Sequence, residues 1–162
     1  FVPMLPVFAD GILKVGPEGL ELLAGASGFG SLLAALLVAW QRDINKKGRL
    51  MVAAGLLFAC CLFLFAHSRD YQAALLALLC TGAGMVCFLA MISCHLQHHC
   101  PEILRGRVMA VYTLVLIGMA PFGHALMGFL AGAIGVSAAL SFGSAICGGA
   151  ILASARTLFR IN

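Results

Sequence analysis

With 162 residues, 62% of them hydrophobic and only 10% charged, and a mean hydropathy of +1.06, the chain carries more apolar surface than a soluble domain of this size can bury. That excludes a soluble enzyme. The net charge of +4 does not come with the basic face and interleaved aromatics of a nucleic-acid binder. The composition fits an all-α polytopic transmembrane bundle with the lipid bilayer as solvent, without enzymatic activity and without a cofactor.

Phe1–Leu13 is too short to cross a bilayer, and Pro3 and Pro6 give residues 1–13 the character of a kinked helix end whose beginning is missing. Lys14 to Glu18 form a connector. Pro17 suits the first turn of the next helix, where Glu18 and Glu21 compensate the helix dipole. Apolar runs then predict transmembrane helices over 20–41, 50–67 and 72–97. Val108 to Ala155 holds no Asp, Glu, Lys or Arg. As one helix it would reach about 70 Å, against a hydrocarbon core of about 30 Å, so it must fold back. The glycines of Gly132-Ala133-Ile134-Gly135 permit the turn, giving spans 106–132 and 135–156. The expectation is five complete spans plus the end of a sixth.

The connectors alternate sides. One side collects Arg42, Lys46, Lys47, Arg49, Arg105, Arg107, Arg156 and Arg160, and the other holds only Lys14 and Arg69. Eight against two predicts that the first group, and with it the C-terminus, is cytoplasmic.

The seven cysteines form no C-x-x-C pair and no framework spacing, so buried free thiols are expected rather than disulfides. The run Cys94-His95-Leu96-Gln97-His98-His99-Cys100 offers soft metal ligands. Its i, i+4 pairs fall on adjacent helix faces, and the run sits at a helix end beside water, so no resident metal is expected there. Its alternative reading is a membrane metal- or redox-handling protein. Among the 19 glycines, Gly128-(x)3-Gly132, Gly82, Gly84, Gly118 and Gly123 read first as close helix-packing positions.

Arg105-Gly106-Arg107-Val108-Met109 stands where a basic loop enters the fourth span. With Gln97, Pro101 and Glu102 it resembles the loop between the fourth and fifth helices in the C-terminal half of major facilitator superfamily proteins. The nearest likeness is the branch of bacterial efflux proteins that includes the enterobactin exporter. Leu5-Pro6-Val7-Phe8 resembles the end of that family's seventh helix, Gly28-Phe29-Gly30-Ser31-Leu32-Leu33 its eighth, and Ala120-Pro121-Phe122-Gly123 with Gly128 its eleventh. Two departures stand out. Asp43 lies five residues before Gly48, out of register with the family's D-R-x-G-R loop motif, while Lys47-Gly48-Arg49 matches its end. His124 follows the P-x-G, where the family usually has a small polar residue.

The resemblance implies the C-terminal half of a secondary active efflux transporter in the bacterial inner membrane. Its partners would be the missing N-terminal six-helix half and a small drug-like or siderophore-like substrate. A fragment that does not transport is the other reading. The resemblance also implies Ser27, Ser31, Thr81, Met85, Tyr112, Met119 and His124 as candidate cavity residues. Asp43, Arg49, Glu102, Arg105 and Arg107 become candidate cytoplasmic gating or anchoring residues. His124 is singled out independently. It is the ionisable group deep within the charge-free runs, and histidine changes charge near neutral pH.

The charge asymmetry predicts a labelling pattern in intact cells. In a cysteine-free background, a cysteine at Ser68 reacts with an impermeant thiol reagent added outside, and one at Asn45 does not. The reverse pattern would invert the topology.

Overall fold

Hydrocarbon offers no hydrogen-bond partners, so every backbone N–H and C=O in a spanning segment must be satisfied within the protein, and helices do this with the fewest constraints. The computed structural model describes residues 5–8, 16–40, 47–68 and 70–160, with the side chains of Phe8, residues 47–49, His99 and residues 156–160 outside the description. Seven helices follow in order: α1 Leu5–Phe8, α2 Gly16–Trp40, α3 Lys47–His67, α4 Tyr71–His99, α5 Glu102–Gly118, α6 Ala120–Ile134 and α7 Val136–Arg160. No strand occurs among the described residues. Five stretches are long and apolar enough to cross a membrane, with α5 and α6 together supplying one 33-residue stretch. The bundle is therefore all-α and polytopic. Of the kinked end expected over residues 1–13, only α1 lies among the described residues. Lys14, Arg42, Asp43, Lys46 and Arg69 lie outside them.

Local chemistry sets the boundaries. α2 opens at Gly16, whose φ of 68° is a left-handed value that glycine adopts without a Cβ penalty, and Pro17 follows in the first turn. α6 ends at Gly135, with φ 89°, whose N–H donates to the Ala131 carbonyl at 3.0 Å. The chain reverses there, inside the Gly132–Gly135 window.

The fourth span departs from the uninterrupted helix expected over 106–132. It begins at Glu102 and breaks at Met119. Pro121 is the cause: it has no N–H to give the carbonyl one turn back, and its ring crowds the preceding turn. Hydrogen bonds resume on both sides, from Met119 N–H to Val115 and from Gly123 N–H to Met119, each at 3.0 Å. A straight helix of 33 residues would run to about 50 Å, so the break also helps this stretch fit a thinner bilayer.

The packed core lies toward one end, where α1, the start of α2, the end of α3 and the starts of α4 and α7 converge. Leu23, Leu62, Phe65, Leu78 and Leu140 are buried there together. Tyr71 donates to the Gly19 carbonyl at 3.3 Å, joining α4 to α2, and Ser137 donates to the Ala66 carbonyl, joining α7 to α3. Nearer the bundle's middle, small residues let backbones touch. A methyl group on Gly82 would strike the Ser27 carbonyl of α2, and one on Gly30 would strike the Leu79 carbonyl of α4. On Gly84 it would sit 2.9 Å from the Phe58 nitrogen of α3, and on Gly55 it would sit 2.8 Å from Ile151 of α7. α4 is thus gripped between α2 and α3.

Not every glycine expected to pack does so. Gly118, Gly123, Gly128 and Gly132, all on the α5–α6 arm, meet nothing within 4 Å. No residue of α5 or α6 is buried.

The two glycine classes predict opposite responses. Gly82→Leu forces α2 away from α4 and costs about 1–3 kcal/mol, seen as a lower midpoint in thermal unfolding of the detergent-solubilised chain. Gly128→Ala in the same assay leaves the midpoint unchanged or raises it slightly, through helix propensity.

Candidate functional site

The hydroxyl-bearing candidates fall at the α2–α4 crossing. Ser31 Oγ donates to its own helix at the Ser27 carbonyl, 2.9 Å away, and Thr81 Oγ1 donates to the Ala77 carbonyl at 2.7 Å. Thr81 is fully buried, and Ser27 and Ser31 are half-buried. Gly82 packs directly on this serine pair, with the position of its missing Cβ 3.0 Å from Ser31 Oγ. The structure therefore brings Ser27, Ser31 and Thr81 into one neighbourhood. Each hydroxyl that donates there is already satisfied by a carbonyl one turn back, the usual fate of Ser and Thr inside spanning helices. Met85, one turn on from Thr81, is 40% exposed.

The other candidates lie on the α5–α6 arm, apart from that crossing. Met119 stands at the break and is 61% exposed. His124 is exposed at the start of α6 and makes no hydrogen bond among the described residues. Tyr112 on α5 is half-buried, and its hydroxyl oxygen is shut off from solvent without a hydrogen-bond partner among the described residues. A buried hydroxyl left unpaired costs about 1–3 kcal/mol. Sequence reasoning chose Tyr112 by position alone. Its orphaned oxygen is a property of packing that no pattern in the sequence displays.

At the basic end, Glu102, Arg105 and Arg107 occupy the first turns of α5 and are exposed, with Glu102 placed where the helix dipole favours an anion. No ion pair joins Glu102 to either arginine. Arg49 lies on α3 with its side chain outside the described residues, and Asp43 lies outside them altogether.

The cysteine–histidine run ends α4. Cys94 and His98 are exposed, His95 is half-buried, and Cys100 follows the helix as its cap residue with extended backbone. No three His, Cys, Asp or Glu side chains among the described residues come together as a metal-holding group. The His99 side chain lies outside the description. All seven cysteines are free thiols, and Cys61 of α3 and Cys80 of α4 are neighbours.

A groove that sequence reasoning did not find lies between α2 and α3, floored by α4. Its volume is about 470 Å³, and it is lined by residues such as Leu37, Ala53, Ala83 and Cys87. It forms because α2 and α3 each pack on α4, and three separate apolar runs carry no sign of that arrangement.

A polytopic helical bundle with hydroxyls at one helix crossing, a broken span carrying a histidine with no hydrogen bond among the described residues, and a basic end has the features of a membrane transporter. The family model for transmembrane secretion effectors, of the major facilitator class, matches residues 1–161, and the chain belongs to that family. No curated protein and no solved structure matches it.

The orphaned Tyr112 hydroxyl gives a test within the chain itself. Tyr112→Phe removes an unsatisfied buried oxygen and keeps the ring, so the unfolding midpoint rises, corresponding to about 1 kcal/mol. A fall of similar size would show that the hydroxyl has a partner.

Proposed function

We propose that this chain is the C-terminal half of a secondary efflux transporter and works by alternating access with a companion six-helix half. The observation that carries this reading is the α5–α6 arm. Over the 33 residues from Glu102 to Ile134 no residue is fully buried, and Met127 and Ala131 only lean on the core, while every other span places buried residues within it. Leu114, Phe122 and Phe129 are 74%, 71% and 76% exposed. Lipid can cover such side chains, so exposure alone would mean little. Gly118, Gly123, Gly128 and Gly132 add the direction: small residues along a spanning helix serve close backbone approach, and among the described residues nothing comes within 4 Å of the place their side chains would take. Membership of a transmembrane secretion effector family supports the same reading.

In such a transporter the substrate site lies near the bilayer midplane between the two halves, and transport is rocking of one half against the other. His124, Met119 and Tyr112 on the arm, with Ser27, Ser31, Thr81 and Met85 at the α2–α4 crossing, are the residues this chain would contribute. His124 is the natural proton carrier among them. It has no hydrogen-bond partner among the described residues, and Pro121 three residues earlier loosens the local backbone. An imidazole left against hydrocarbon would cost several kcal/mol, so its place is at the junction with the companion half. Asp43, Arg49, Glu102, Arg105 and Arg107 would gather at the cytoplasmic mouth of a bacterial inner-membrane exporter, with the C-terminus on the same side. The substrate class is a small amphiphile, drug-like or siderophore-like.

Reconstitution tests this directly. Vesicles holding the chain alone show no proton-coupled efflux of an amphiphilic dye, whereas vesicles holding it with its companion half do. His124→Gln in the paired protein keeps assembly and loses the pH dependence of efflux. Flux from the chain alone would overturn the half-transporter reading, and an unchanged pH profile would remove His124 from coupling.

A further inference from the structure

We propose that the groove between α2 and α3 is a binding site for one acyl chain of an anionic phospholipid. Its lining consists of glycine backbone, Ala, Val and Leu side chains and the single thiol of Cys87. It offers no hydroxyl, amide or charge. A ligand with hydrogen-bonding groups would lose its hydration there and recover nothing, whereas a hydrocarbon chain loses nothing. The volume of about 470 Å³ lies within the range of small-molecule sites.

The length of the groove matches one leaflet. It runs from Gly30 near the middle of α2 to Val38 near its end, and from Leu57 to Leu50 on the antiparallel α3. Eight residues of helix rise about 12 Å, close to half of the roughly 30 Å hydrocarbon core. The deep end meets the small-residue contacts at Gly30 and Gly84 that close the bundle, and the groove opens along its rim at Leu37 and Leu57, which are 60% and 47% exposed. A tail can thus enter sideways from the bilayer with its headgroup level with the helix ends.

The headgroup end is basic. α3 begins Lys47-Gly48-Arg49, and Leu50, the next residue, already lines the groove. The N-terminal end of a helix carries partial positive charge, and clustered Lys and Arg at the end of a span favour anionic headgroups. Chain length, apolar lining and the charge at the mouth therefore favour the same occupant. This site is separate from the substrate path proposed above, and it does not depend on that reading.

The test uses the full chain in phosphatidylcholine nanodiscs doped with phosphatidylglycerol that carries a diazirine in one acyl chain. After irradiation, peptide mapping locates the label. It concentrates on the segments containing Leu37, Ala53 and Cys87. Ala53→Phe, at an exposed edge of the groove, displaces at least two methylene groups of the tail and lowers this labelling about tenfold. Ala35→Phe, exposed on α2 outside the groove, leaves it unchanged. The same diazirine on phosphatidylcholine labels these segments less, and the double variant Lys47→Gln/Arg49→Gln removes that difference between headgroups. Label spread evenly over all spans, label indifferent to Ala53→Phe, or equal labelling by the two headgroups in the unmodified chain would overturn the proposal.

Discussion

Close backbone contact on the two faces of α4 is the constraint from which the rest of the bundle follows. Between helices in a bilayer the hydrophobic effect supplies little, because lipid tails are as apolar as leucine, and shape decides which helices associate. Gly82 lets the α2 backbone reach α4 at Ser27, and Gly84 lets α3 reach it at Phe58. Gly30 repeats the device from the α2 side. Once α2 and α3 are both seated on α4, α3 can carry α7 through Gly55 and Ser137. The hydroxyls of Ser31 and Thr81 sit in this crowded region without penalty because each bonds within its own helix.

The same arrangement makes the two ends of the bundle unlike. At one end the large core side chains Leu23, Phe65, Leu78 and Leu140 fill the space between four helices. Toward the basic end the space between α2 and α3, over α4, is left as an apolar groove. The bundle is thus filled by large side chains at one end and cleft at the other. The α5–α6 arm adds a second loosely held element. It touches α4 and α7 without fully burying any of its own residues, and it bends at Met119, where Pro121 interrupts the hydrogen-bond ladder.

The site candidates divide along the same line. Those at the α2–α4 crossing are held by the bundle's own packing, so their geometry belongs to this chain. Those on the arm, His124 above all, have exposure and no hydrogen-bonded partner within the described residues. Tyr112 stands between the two groups, half-buried with an unsatisfied oxygen. The cysteine–histidine run at the end of α4, so conspicuous as a string of ligands, gathers no metal-holding group among the described residues, because neighbours along a helix point to different sides.

The sequence by itself determined that the chain is helical and membrane-spanning, how many spans it has, and where the chain turns at Gly135. These depend on local quantities: the apolar length a bilayer demands, the backbone freedom of glycine and the absence of charge. The motifs around Arg105 and Pro121 carried the family resemblance, and the family match agrees with it at the level of the major facilitator superfamily. The break at Met119 was also written locally, in Pro121, although the long apolar run hid it. Tertiary structure alone decided which glycines are contacts, since Gly82 and Gly128 look alike in a sequence and differ only in whether another backbone arrives. It alone decided that Thr81 is buried, that the Tyr112 hydroxyl is unpaired and that a groove lies between α2 and α3. Each depends on helices distant in sequence meeting at a particular register, and the residues of one helix do not encode where its neighbour will stand.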